Sequence, residues 1–226
     1  MQSNQPVMKK KIGVILAGCG VFDGSEVQES VLTLLALERA GVEPVCMAPN
    51  KDQYHVINHL TGEETDETRN VLVESARIVR GKIEDIAGVS AADLDALVLP
   101  GGFGAAKNLN TFAVDGPKAT IDPEVERLVR EVSDAAKPIG FICITPAIGA
   151  QVLGHKGVEL TIGNDAEVAA GLESFGARHI SRGVTDILTD QERRVISTPA
   201  YMLGQNPLEV SEGIDKLVKT LVEWIS

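Results

Sequence analysis

The chain has 226 residues, 44% hydrophobic and 23% charged, which is enough to bury the core of one domain and too apolar for disorder. Its formal net charge of -11 excludes a nucleic-acid partner, because phosphate backbones are held by basic surfaces. No apolar run nears the ~20 residues of a membrane span, the start "MQSNQPVMKKK" is too polar for a signal peptide, and the three cysteines form no C-x-x-C pair, so a cytoplasmic protein is expected.

Residues 1–9 read as a polar tail and 10–226 as a single domain. "KIGVILAGCG" is a buried strand running into a glycine-rich turn, and "SEVQESVLTLLALERAG" has helical apolar spacing, with Ser25 as its N-cap and Gly41 as its stop. "VEPVCMAP" is a second strand. A polar excursion follows and returns to an apolar helix or strand over residues 71–79. "LDALVLPGGFG" is the plainest strand and turn, and residues 105–122 after it read as a loop or lid. "PEVERLVREVSDAAK" is an amphipathic helix with Pro123 in its first turn, and "PIGFIC" is the next strand. "TPAIGAQVLG" is a helix, "VELTIG" a strand, "AEVAAGLESFG" a helix, "ERRVISTPA" a strand into a turn, and "NPLEVSEGIDKLVKTLVEWI" the last helix. Strands alternating with helices predict an α/β fold with a mostly parallel sheet.

In such a sheet ligands bind at the carboxyl ends of strands, so the turns after strands are the places to search. The first carries Gly18, Gly20 and Gly24, one residue too long for a dinucleotide fingerprint, and no G-K-[ST] makes a phosphate loop. Cys143 stands where a strand meets a helix, an elbow whose amides lower a thiol pKa, although a free cysteine there is also consistent with inert packing. Gly101 and Gly102 either make only a tight turn or let the backbone approach a substrate, with an N–H aimed at a developing oxyanion and Ile144 N–H as second donor. Glu26 and Glu29 open the first helix, facing the same crevice. Cys46 reads as core and Cys19 as packing. His55 and His59 stand four apart with no third ligand, and no H-x-E pattern follows the later strands. Neither a metal nor a cofactor is expected.

The segments "VILAGCGVFDGSEVQES", "LVLPGGFGAAKNLNTFA", "GFICITPA", "LTIG" and "STPAYMLGQNPLEVSEGIDKLV" resemble the ElbB group, isoprenoid-biosynthesis-associated proteins with an amidotransferase-like domain. That group lies in the PfpI/ThiJ branch of the class I amidotransferase superfamily, and the resemblance runs from about residue 10 to the end. It implies a flavodoxin-like three-layer α/β sandwich, helices on both faces of the sheet, and usually a homodimer. By position, Cys143 matches the superfamily's elbow cysteine, Glu29 its helix-one glutamate, and Gly102 and Ile144 its oxyanion amides. Ile144 stands where PfpI-type peptidases carry histidine, and "LTIG" offers Ile162 and Gly163 where some relatives place another, which argues against a Cys-His protease and leaves Glu29 as the acid/base partner.

The resemblance then implies a cofactor-independent glyoxalase, a glyoxalase III-type lyase, converting glyoxal to glycolate or methylglyoxal to lactate, also observable as deglycase activity. Its partner is a small aldehyde. The alternative is a non-catalytic redox or carbonyl sensor using the same cysteine. An ammonia-handling amidotransferase subunit lacks its H-x-E pattern.

Overall fold

The computed structural model describes residues 9–226, so all but the last residue of the expected polar tail lies outside the described residues. In chain order the strands are β1 (Lys11–Ile15), β2 (Glu43–Ala48), β3 (Val56–Ile57), β4 (Glu64–Thr65), β5 (Glu84–Asp85), β6 (Ala96–Leu99), β7 (Ile139–Ile142), β8 (Glu159–Leu160), β9 (Arg178–His179), β10 (Leu188–Asp190) and β11 (Val195–Thr198). The helices are α1 (Val27–Arg39), α2 (Val71–Ile78), α3 (Phe112–Asp115), α4 (Pro123–Asp134), α5 (Pro146–Leu153), α6 (Ala166–Ser174) and α7 (Pro207–Trp224). Seven strands form one sheet in the order β10-β11-β7-β6-β1-β2-β5, parallel except for the antiparallel edge strand β10. The pairs β3-β4 and β8-β9 lie outside it. The expected α/β sandwich is observed.

The central strands β6, β7 and β11 are buried at every residue, as unbroken apolar segments in a covered parallel sheet must be. The chain steps from β1 through α1 to β2 in one direction, and from β6 through α4 to β7 in the other. Right-handed crossovers therefore put α1 and α4 on opposite faces. Helix α7 packs on α1, and α5 packs beside α4. Because β1 and β6 are neighbours from which the chain departs in opposite directions, a crevice opens at their carboxyl ends. Among the described residues no helix is long and apolar enough to cross a membrane.

Local structure departs from expectation at the cap of α1 and in residues 105–122. Glu26, not Ser25, caps α1, its carboxylate accepting the Glu29 N–H at 2.6 Å. Ser25 is fully buried and its hydroxyl accepts the Ala17 N–H instead, tying the end of β1 to the start of the helix. Of the two readings open for residues 71–79, the helix is the one that forms, over Val71–Ile78 and capped by Asn70. Residues 105–122 are not a loose loop: a wide helical turn (Ala105–Leu109), α3 and a further turn (Gly116–Lys118) fold there, closed by a bridge between Asn110 and Ile121. The sequence lacks long apolar periodicity there because these turns are too short to repeat. Buried Asn108 holds their base, donating to the carbonyls of Ala17 and Asp23 at 2.9 Å and accepting from Tyr54 N–H.

Candidate functional site

Cys143 directly follows β7, and its backbone takes φ +63°, a left-handed conformation disfavoured for a side chain with a Cβ. The turn is over-determined by its neighbours. The Cys143 N–H donates to Thr198 O at 3.0 Å, bringing in the end of β11. Fully buried Thr145 accepts the Ile142 N–H at 2.9 Å and donates to Leu99 O at 2.8 Å, locking the ends of β6 and β7 together. Pro146 then opens α5 with a preset φ, so the elbow passes straight into a helix.

Glu29 lies in the first turn of α1 and is fully buried. Its Oε2 accepts the Gly101 N–H at 2.8 Å and its Oε1 accepts the Tyr201 N–H at 3.2 Å. Burial, reinforced by the charge of Glu26, pushes the carboxyl up to about 7 from its ordinary 4.5, against those two amides and a hydrogen bond with Cys143. Gly101 is wedged between the two side chains. A Cβ there would sit 2.4 Å from Cys143 Cβ and 2.8 Å from Glu29 Oε2. Gly102, at φ +102°, presses against the backbone of Gly24 and Glu26, where a Cβ would lie 2.6 and 2.4 Å away.

The structure thus brings together Cys143, Glu29, Gly101, Gly102 and Ile144 from the ends of β1, β6 and β7. One electrostatic expectation is reversed. Burial first, and the adjacent Glu29 second, raise the Cys143 thiol well above its ordinary value, while the amides of Gly102 and Ile144 oppose this only in part. The elbow amides are present but lose to desolvation, so the sulfur at rest is a thiol. Burial also raises Cys19, and pushes Cys46 up to about 12 inside β2.

Sequence reasoning missed two groups. Tyr201, whose amide holds Glu29, sits in "STPAYM" after β11, beside Ala200 at φ +44°. Thr145, which locks the elbow, is the second, though "CITP" places a hydroxyl two residues after the nucleophile position. Three of the four histidines are engaged elsewhere. His59 stacks on Phe22 and accepts its N–H, His55 meets Lys107 Nζ at 2.9 Å, and His179 accepts the Ile162 N–H at 3.3 Å. Among the described residues no cluster of three metal-ligating side chains occurs.

No family model matches the chain. It is 44% identical over 233 residues to the rat (Rattus norvegicus) protein named ES1 protein homolog, mitochondrial, covering 99% of this chain and 87% of that one. The chain belongs to the ES1 family. Its members include a human (Homo sapiens) protein named glutamine amidotransferase-like class 1 domain-containing protein 3, mitochondrial, 44% identical over 94% of this chain and 82% of that one. Among solved structures, an isoprenoid biosynthesis protein with amidotransferase-like domain from Ehrlichia chaffeensis superposes with a TM-score of 0.88. It is 39% identical and the match covers 95% of this chain and 99% of that one. The expected class I amidotransferase-like membership therefore stands. The cytoplasmic expectation does not, since the rat and human relatives are both named as mitochondrial. Free thiols indicate a reducing compartment, and the cytoplasm is not alone in offering one.

Proposed function

We propose that this ES1-family chain is a cofactor-independent glyoxalase, a lyase acting on 2-oxoaldehydes through Cys143. The observation that carries the proposal is a fully buried carboxyl, raised to about 7, with Gly101 wedged between it and a thiol at a strained elbow. Glu29 takes the Cys143 proton as Sγ adds to the aldehyde carbon, forming the C–S bond of a hemithioacetal. Glu29 returns that proton to the aldehyde oxygen, then removes the hydrogen of the same carbon as a proton. An enediol forms, and reprotonation at the neighbouring carbon leaves a thioester. Water cleaves the C–S bond, releasing the 2-hydroxy acid and restoring the thiol. The sum is one aldehyde plus one water to one acid, with no external oxidant. The amides of Gly102 and Ile144 stabilise the developing oxyanion. A homodimer and the link to isoprenoid biosynthesis carried by the Ehrlichia protein's name belong to the same proposal.

The test is glycolate formation from glyoxal by the wild type beside Cys143→Ser, Glu29→Gln and the buried control Cys46→Ser. Loss of turnover by at least a hundredfold in the first two, with Cys46→Ser active, supports the reading. If glyoxal only forms a stable adduct on Cys143, the enzyme is ruled out and a carbonyl sensor takes its place.

A further inference from the structure

A groove of about 930 Å³ runs between the 103–117 segment and α6, and Ile144 is one of its walls. Phe103 forms another wall directly after Gly102, as Ile144 does directly after Cys143. The two residues whose amides flank the sulfur are thus each followed by, or themselves are, a wall of the groove. Phe112, Val114, Pro117 and Val168 continue the lining, and Phe103 and Val114 leave about half their surface uncovered, at 52% and 48%. Gly171 of α6 lets the Phe112 ring lie flush, since a Cβ there would fall 2.6 Å from it. Of the charged residues on the groove, Lys107 is already engaged by Phe22 O and His55, and Glu167 projects from the exposed first turn of α6. What the lining offers a ligand is mainly apolar area. That volume is at the scale of sites for ligands of drug size and far exceeds the few heavy atoms of glyoxal.

We propose that this groove is the chain-binding subsite of the Cys143 centre, and that the preferred substrates are 2-oxoaldehydes bearing an aliphatic chain of several carbons. The inference rests on the glyoxalase reading for its chemistry, and on the geometry of the groove for its selectivity. Burial of each added methylene raises kcat/KM by up to about fourfold, without changing the reacting atoms.

Two measurements separate the inference from the reading beneath it. The first is kcat/KM for methylglyoxal, 2-oxobutanal, 2-oxohexanal and 2-oxooctanal, in the wild type and in Ala170→Trp, which fills the groove from an exposed position on α6. The wild-type series is expected to climb with length, and Ala170→Trp to flatten it while keeping methylglyoxal turnover. The second needs no turnover: protection of Cys143 from iodoacetamide by 2-hydroxyoctanoate against lactate, read by mass spectrometry. Half-protection at a concentration at least tenfold lower for the longer acid, lost in Ala170→Trp, supports the subsite. Equal protection by both acids, or a length dependence that survives Ala170→Trp, overturns it. If no aldehyde is turned over while protection still follows chain length, the glyoxalase reading fails and the subsite stands.

Discussion

Cys143 and Glu29 each hold a proton more tightly than they would in water. Burial raises both groups, so at neutral pH the sulfur keeps its proton while the carboxyl, held near 7, is close to half ionised. Only the ionised carboxyl accepts the thiol proton, and the sign of the pH dependence follows. kcat/KM for the wild type is expected to rise with pH through about 7 and level off above it. A stopped assay from pH 5 to 9 checks this, and a profile that falls across that range would remove Glu29 as the base. Gly101 has no room for variation, because a Cβ would meet the Cβ of Cys143 at 2.4 Å, a contact that no rotamer change relieves. Position and residue type marked Cys143, Gly101, Gly102, Ile144 and the pair Glu26 and Glu29 as candidates, and the resemblance singled out Glu29. The reversal of the thiol pKa was not legible in the chain, because desolvation depends on what surrounds a residue, and Gly101, Glu29 and Thr198 reach Cys143 from segments far away in sequence.

At the scale of elements, the site is built where three parallel strands end together. Thr145 is the tie between two of them, its one hydroxyl serving Ile142 N–H and Leu99 O with no exposure to water. Thr145→Val keeps the shape and leaves both backbone groups unpaired, at a cost of about 1–3 kcal/mol. Denaturant unfolding should show that loss together with reduced turnover, and an unchanged midpoint would show that water replaces the hydroxyl. The fully buried central strands and the amphipathic helices α4 and α7 were plain in the sequence, since continuous apolar runs and 3.6-residue spacing survive without context. The strands β5, β9 and β10 were not, being two or three residues long and defined by the neighbour they pair with. The same holds for residues 105–122, whose turns are fastened through Asn108 to carbonyls at residues 17 and 23.

For the whole molecule, one buried carboxyl couples stability to pH. Glu29 binds its proton more tightly folded, near 7, than unfolded, at the ordinary 4.5, so the folded chain carries the extra proton between those values. Its contribution is complete below about 4.5 and is lost as pH rises through about 7, amounting to roughly 3 kcal/mol at most. Melting followed from pH 5 to 8 should therefore fall by about 5–10 °C more for the wild type than for Glu29→Gln, which cannot ionise. Parallel curves for the two proteins would mean that the buried carboxylate is compensated when charged. The amino-acid sequence by itself determined the α/β class, the parallel core and the residue types at the strand ends, because periodicity, glycine and proline act locally. Only the tertiary structure decided that Glu29 meets Cys143 with Gly101 between them, that the thiol stays protonated, and that Ile144, next to the sulfur-bearing residue, walls a groove beside α6. Those properties arise from burial and from contacts between segments distant in the chain, and such contacts exist only once the sheet has assembled.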